Sequence, residues 1–346
     1  MRILIATDAW EPQVNGVVRT YQRLNEELVK MGHEVLFVTP SQFYTLPCPT
    51  YPEIRLSLLT SRHIQKTIKS FDPHAIHIAT EGPIGWATRK ACMKRGLDFT
   101  TSYHTRFPEY VAERVPVPAS FIYKLVRTFH NRGVGTMVAT KSLAAELEGK
   151  EFKKILPWTR GVNLEFFRPL DCRLFGAGKV ALYVGRVAPE KNLEAFLDLQ
   201  SEGDESLQKV IVGDGPSLAS LKQRYPDVIF TGAKQGEELA QCYSSADVFV
   251  FPSLTDTFGI VLLEAMASGV PIAAYPVTGP IDVVEHGVSG CLDEDLSQAI
   301  EDALKLDPLV CRAKALEFSW RNCAEIFLKN LAVEDEDRVS LLKECV

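Results

Sequence analysis

Short apolar runs alternate with amphipathic stretches along the whole chain. RILIAT, EVLFVT, AIHIAT, FTTSYH and TMVAT punctuate its first half, and KVALYVG, KVIVG, VIFTG, DVFVFP and VPIAAY its second. Most are continuously apolar, as strands buried on both faces are, while the segments between them repeat apolar residues at helical spacing. Val17, Tyr21, Leu24, Leu28 and Met31 form one such helical stripe, closed by Gly32. The pattern predicts an α/β protein with parallel sheets covered by helices.

A chain of 346 residues is comfortable as two domains, each with its own core. The best linker between the two strand series is Gly161–Lys179, GVNLEFFRPLDCRLFGAGK, where prolines and glycines break the periodicity. The expected division is two Rossmann-like domains facing a cleft, residues 1–164 and 165–318, followed by 319–346 with an amphipathic helix from Ser319 to Leu331. Residues 40–51, PSQFYTLPCPTY, read as a loop.

Two stretches carry recognisable chemistry in the second half. In Val248–Ala274, VFVFPSLTDTFGIVLLEAMASGVPIAA, a buried strand ends at Pro252 and a polar turn leads into a helix. A helix starting near Gly259 places the backbone amides of Phe258, Gly259 and Ile260 at its N-terminus. Glu264 lies one turn further on, its side chain leaning back toward Asp256. Paired carboxylates suit the vicinal hydroxyls of a sugar, and helix-terminal amides suit phosphate, so a sugar nucleotide is indicated. An Asp cap beside a solvated Glu is the plainer alternative. In Ala181–Asn192, ALYVGRVAPEKN, a strand delivers Arg186 and Lys191 to the carboxyl edge of a sheet, where ligands of open parallel sheets bind.

The first half offers two more candidates. Gly16, in EPQVNGVVRT, follows the first strand where the chain turns into a helix and lets an amide approach a phosphate. His104, in TTSYHTRFPEY, ends an apolar strand and stands at the sheet's carboxyl edge. The dinucleotide fingerprint GxGxxG is missing, and the second strand ends in Val38-Thr39-Pro40 without an acid for a ribose, two absences that argue against an NAD-dependent dehydrogenase.

With these residues in view, the chain resembles the retaining glycosyltransferases of family 4, which have the two-domain GT-B fold. GRVAPEKN resembles that family's donor-diphosphate motif, and DTFGIVLLE its pair of glutamates with seven residues between them, with Asp256 in place of the first. VGDGP, AMASGVPIAA and FSWRNCAEIFLKNL match as well, so the resemblance covers nearly the whole chain. TDAWEPQVNGVVRT and SYHTRFPEY are similar to a narrower branch, which includes GDP-mannose-dependent mannosyltransferases and the sulfoquinovosyl and glycosyl transferases of diacylglycerol lipids.

The resemblance implies transfer of a hexose from a nucleoside diphosphate sugar to a hydroxyl acceptor, with retention and without a metal cofactor. Arg186 and Lys191 would neutralise the leaving diphosphate, with Gly16 beside it. Asp256 and His104 would hold the donor sugar, and Glu264 the ribose. The last helix would pack back on the N-terminal domain. GDP and UDP, mannose and glucose all fit this reading. A sugar-nucleotide 2-epimerase on the same fold and a non-catalytic sugar-nucleotide binding protein are the alternatives.

Charge and composition narrow the setting. No stretch approaches the roughly 20 apolar residues of a membrane span, MRILIATDA lacks the features of a secretory peptide, and the eight cysteines show no zinc or redox spacing. A cytoplasmic protein with reduced thiols is expected. Residues 1–165 carry 22 Lys and Arg against 15 Asp and Glu, the remainder 16 against 29. The basic half carries no nucleic-acid-binding pattern. Its segment 106–132 mixes Arg114, Lys124, Arg127 and Arg132 with Phe121, Leu125 and Phe129, which predicts peripheral docking on the anionic inner face of the plasma membrane and an acceptor that is a glycerolipid or glycolipid. A helix with a solvated basic edge gives the same pattern.

Overall fold

The computed structural model describes residues 1–13, 15–48, 51–112, 117–199 and 207–332. The chain divides into two compact units, Met1–Thr159 joined by the segment from Trp320, and Arg160–Ser319.

The first unit begins with β1 (Arg2–Ala6), α1 (Gly16–Lys30) and β2 (Glu34–Val38). β3 (Thr45–Cys48) and β4 (Tyr51–Ser57) precede α2 (Thr60–Phe71), β5 (Ala75–Ile78), α3 (Pro83–Arg95) and β6 (Thr100–Tyr103). Then come α4 (Phe107–Ala112), α5 (Ala119–His130), β7 (Gly135–Val138), α6 (Lys141–Gly149) and β8 (Ile155–Pro157). The sheet is parallel with order β2-β1-β5-β6-β7-β8. Every residue of β5, β6 and β7 is buried, as strands covered on both faces are.

The second unit runs β9 (Val180–Val184), α7 (Leu193–Leu197), β10 (Gln208–Val212), α8 (Leu218–Arg224), β11 (Ile229–Gly232), α9 (Gly236–Ser244) and β12 (Val248–Phe251). It continues with α10 (Ile260–Ala267), β13 (Ile272–Ala274), α11 (Pro280–Val283), β14 (Gly290–Leu292), α12 (Leu296–Ala303) and α13 (Pro308–Ala315). Its sheet is also parallel, with order β11-β10-β9-β12-β13-β14. The expected α/β class with two Rossmann-like parallel sheets is therefore the observed one.

Helix α14 (Trp320–Asn330) belongs to the first unit. Its Cys323, Ala324 and Phe327 are fully buried in a cluster with Ile3, Ile5, Tyr21, Leu24 and Trp158. The Trp158 indole N–H donates to the carbonyl of Cys323 at 3.1 Å, which fixes the helix along its axis.

Two readings are corrected. The segment expected to be a loop at 40–51 begins a β3–β4 hairpin, pairing Thr45 with Ser57 and Leu46 with Leu56. Its prolines are tolerated because a two-stranded ribbon has edges on both sides. Gly161–Lys179 is not a free linker. Arg312 donates to the carbonyls of Leu164 and Phe167, and Arg173 forks onto Asp247, so the segment packs as part of the second unit.

A buried carboxylate seals the first sheet. Asp8, just after β1, accepts the amides of Ile84 at 2.8 Å and Gly85 at 3.2 Å, and the hydroxyl of Thr80 at 3.0 Å. It thereby caps α3, whose own cap residue Gly82 has no side chain to do so. A Cβ on Gly82 would lie 2.4 Å from Asp8 Cγ, so glycine is required there. Burial pushes the Asp8 carboxyl from 3.8 up to about 6, outweighing the amides and the hydroxyl that pull it down. A folded value above the unfolded one favours the protonated form in the fold. The stability it contributes is complete below about pH 4 and disappears as pH rises through about 6. Relative to Asp8→Asn, which cannot titrate, the wild type should lose about 2 kcal/mol between pH 4 and 7. Denaturant unfolding at several pH values measures this; parallel curves would show that the carboxyl titrates as it does in the unfolded chain.

Candidate active site

In the second unit β9 and β12 are neighbours in the sheet although α7, β10, α8, β11 and α9 separate them in sequence. Their carboxyl ends bring two loops together. The loop after β9 carries Arg186 and a single 3-10 turn, Pro189–Lys191. The loop after β12 carries Asp256, Phe258 and Gly259 and leads into α10.

The two loops are joined by side chains. Lys191 Nζ lies 2.7 Å from both Asp256 oxygens, and these side chains are about one-fifth exposed. Asn192 Nδ2 donates to the carbonyl of Pro252 at 3.1 Å. Lys191 is thus held by a carboxylate that neutralises much of its charge, and Arg186, on the same loop, is exposed. The Tyr183 hydroxyl donates to the Arg186 carbonyl at 3.0 Å, fixing the backbone from which the guanidinium projects.

Glycines bring the β9 and β10 loops into contact. A Cβ on Gly213 would lie 1.8 Å from the carbonyl oxygen of Gly185, and one on Gly215 2.3 Å from that of Val187. Val187 N–H donates to Asp214 O and Ser217 N–H to Val187 O. VGDGP therefore supports the Arg186 loop from behind.

Helix α10 begins at Ile260 after Gly259, whose φ of 81° only glycine adopts readily, and it has no side-chain cap. Phe258 is buried beneath the loop. Glu264, one turn on, is 5% exposed, and its Oε2 accepts from the Tyr243 hydroxyl at 2.7 Å. Tyr243, on α9, is fully buried against Phe167 and Phe249. Neither Tyr243 nor Asn192 was expected to matter. The only sequence signal for Tyr243 was a tyrosine on the buried face of a helix.

In the first unit, Gly16 is the exposed first residue of α1. The amides after it are already engaged, because Asn15 Oδ1 accepts from Val17 and Val18 at 3.0 Å each. His104 follows β6 directly, and its Nε2 lies 3.0 Å from the Tyr21 hydroxyl. Seven of the nine candidate residues thus belong to one unit, and Gly16 and His104 to the other. Among the described residues no His, Cys, Asp and Glu group is arranged to hold a metal ion.

Comparison with known proteins shows the family of the chain. Residues 14–166 match Glycosyltransferase Family 4 and residues 178–306 match Glycosyl transferases group 1. The chain is 32% identical over 317 residues to a GDP-mannose-dependent alpha-mannosyltransferase of Corynebacterium glutamicum, covering 84% of this chain and 76% of that protein. It is 27% identical to an alpha-monoglucosyldiacylglycerol synthase of Streptococcus pneumoniae, covering 96% of this chain and 84% of that one. Sucrose-phosphate synthase of Thermosynechococcus elongatus superposes with a TM-score of 0.73 at 20% identity, over 95% of this chain and 97% of that chain. The fold is GT-B. The chain belongs to glycosyltransferase family 4, and its activity is the transfer of a hexosyl unit.

Because Lys191 and Asp256 come from different loops, their pairing couples the loops energetically. A double-mutant cycle with Lys191→Met and Asp256→Asn should give a coupling of about 1–2 kcal/mol in unfolding of the second unit. Additive losses would mean that the two loops are held in place independently.

Proposed function

We propose that the protein transfers a hexose with retention from a GDP-sugar to a lipid-borne hydroxyl, without a metal cofactor. The observation that carries this reading is the joining of the Arg186–Lys191 loop to the Asp256–Glu264 segment at the carboxyl ends of β9 and β12.

The roles follow from the chemistry of each group. As the bond to the leaving diphosphate breaks, negative charge grows on its oxygens, and Arg186 with Lys191 stabilises that charge. The amides around Phe258, Gly259 and Ile260 add the N-terminal end of a helix. A carboxylate offers about four acceptor sites, so Asp256 can hold Lys191 and still receive donor-sugar hydroxyls. Glu264, oriented by Tyr243, accepts the ribose hydroxyls in the same way. In the first unit, His104 is suited to hydrogen bonding a sugar hydroxyl and Gly16 to the close approach of a phosphate. The attacking hydroxyl passes its proton to the departing phosphate, so no protein nucleophile is needed.

GDP-mannose is the first donor to test, because the Corynebacterium relative bears it in its name. At a hundredfold excess over Kd it should stabilise the protein by about 2.7 kcal/mol, read as a thermal shift. Arg186→Ala should lower kcat/KM roughly tenfold to a thousandfold with the fold intact, and EDTA should leave turnover unchanged. A larger shift with UDP-glucose would reassign the donor. Loss of activity in EDTA, restored by Mg²⁺, would overturn the metal-independent mechanism.

The Streptococcus relative's name includes a diacylglycerol, which supports a lipid acceptor. No described helix is long and apolar enough to cross a membrane, so docking would rest on a surface. Helix α5 buries Ile122, Val126 and Phe129 and exposes Phe121 (65%) and Leu125 (50%) beside Lys124. Arg127 is paired with Glu151, which removes it from the expected basic set, and Arg114 lies outside the described residues. Arg89 joins Arg132 instead: burial and the neighbouring Arg132 charge both lower its pKa. At about 1 kcal/mol per basic residue, such a surface gives weak, salt-sensitive adhesion. Binding to vesicles should rise with anionic lipid and fall with salt, and Phe121→Ser with Lys124→Ser should weaken it while sparing donor affinity. Equal binding to neutral and anionic vesicles would favour a soluble acceptor.

A further inference from the structure

Three arginines converge on one cleft in the first unit. Its volume is about 300 Å³, and it is lined by Arg89 of α3, Arg127 and Thr128 of α5, and Asn131 and Arg132 just beyond α5. Most of its polar groups are already engaged. Arg127 is paired with Glu151. Asn131 donates to the Glu151 carbonyl at 3.0 Å and accepts from the Lys153 amide at 2.8 Å, and the Thr128 hydroxyl donates to the Lys124 carbonyl at 2.7 Å.

Arg89 and Arg132 differ from these. Arg89 Nε and Nη2 donate to the carbonyls of Phe129 at 3.2 Å and Thr128 at 3.1 Å, and its guanidinium lies 5.1 Å from the centre of the Trp86 ring. The group is thereby fixed in direction, and its Nη1 makes no hydrogen bond with a described residue. Arg132 is exposed and makes no hydrogen bond or ion pair among the described residues. Neither cation meets a carboxylate there. Burial and the Arg132 charge both lower the Arg89 pKa, as expected of two cations that share a cleft with no anion between them. An anion would relieve that repulsion, and the oxygens of a phosphate match the fork of a guanidinium.

The surroundings indicate where such a phosphate comes from. Phe121, Leu125 and Thr128 recur at helical spacing on α5, so a line of side chains leads to the cleft from Phe121, 65% exposed, and Leu125, 50% exposed. A second groove of about 430 Å³ shares Arg89 and is lined by Trp86 and the exposed Met93. Apolar groups beside fixed cations suit the boundary of a bilayer, where phosphate lies just above acyl carbon.

We propose that the cleft between α3 and α5 holds the phosphate of an anionic phospholipid, gripped by Arg89 and Arg132. The inference deepens the reading of the first unit as membrane-docking and rests on it for the source of the phosphate. It adds one discrete contact to an otherwise diffuse attraction.

Co-sedimentation of the full chain with phosphatidylcholine vesicles that carry phosphatidic acid tests this. The wild type should bind them, and Arg132→Gln should weaken binding roughly thirtyfold through loss of a charge-assisted contact. Arg89→Lys keeps the charge but not the fork and should weaken binding roughly tenfold. Lys94→Gln removes the same charge from an exposed position on α3 outside the cleft and should cost only a few-fold. The thermal shift given by GDP-mannose should be the same in every variant. Equal losses in Arg132→Gln and Lys94→Gln would overturn the inference and leave diffuse adhesion, with the docking reading intact. No binding of the wild type to phosphatidic acid vesicles would overturn it together with the docking reading, and Arg132-dependent stabilisation by glycerol phosphate would then assign the cleft to a soluble ligand. Thermal unfolding without ligand checks that Arg89→Lys is folded. Should it unfold, Arg132→Gln against Lys94→Gln decides, since Arg132 has no described partner to lose.

Discussion

Strand order is the constraint on which the site depends. In each sheet the chain starts at an inner strand, builds outward on one side, then returns to build on the other. The two loops leaving the carboxyl ends at that reversal diverge to opposite sides and open a crevice between them. In the first unit the reversal falls between β1 and β5, and in the second between β9 and β12.

The two crevices are filled differently. In the first unit the chain supplies its own anion, Asp8, to the amides at the start of α3, and Gly82 has no side chain because the carboxylate occupies that volume. The burial that raises the Asp8 pKa makes this plug sensitive to pH. In the second unit, α10 has no such side-chain cap, and the neighbouring loops carry Arg186, Lys191 and Asp256. One architecture used twice thus gives one sheet sealed by its own carboxylate and one edge whose loops are joined by a lysine–carboxylate pair.

Charge in the second crevice is balanced before any substrate is considered. Asp256 compensates Lys191 within the protein, and Arg186, on the same loop as Lys191, is exposed. A neutralised lysine is cheaper to keep half-buried than a lone one, and its direction is fixed by two equal contacts. Tyr243 does the same for Glu264. The side chains suited to touching a sugar nucleotide are therefore oriented by partners, as a preorganised site requires.

The amino-acid sequence by itself determined the class of the fold, most of the strands, the amphipathic stripe of α1 and the motifs that carry charge. Continuous apolar runs, helical periodicity and turn glycines report local burial and backbone geometry, which neighbouring residues control. It did not reveal the three-residue edge strands β8 and β14, too short to carry a pattern, nor the hairpin whose prolines imitate a loop. Pairings were beyond it as well. Lys191 and Asp256 are 65 residues apart, and Tyr21 and His104 are 83 apart. No periodicity records such a contact, because it exists only once strand order has placed two loops, or a helix and a sheet edge, side by side. Tertiary structure alone decided that Lys191 is neutralised, that Arg127 is turned toward Glu151, and that His104 meets the Tyr21 hydroxyl, since each depends on atoms brought from distant parts of the chain to hydrogen-bond distance.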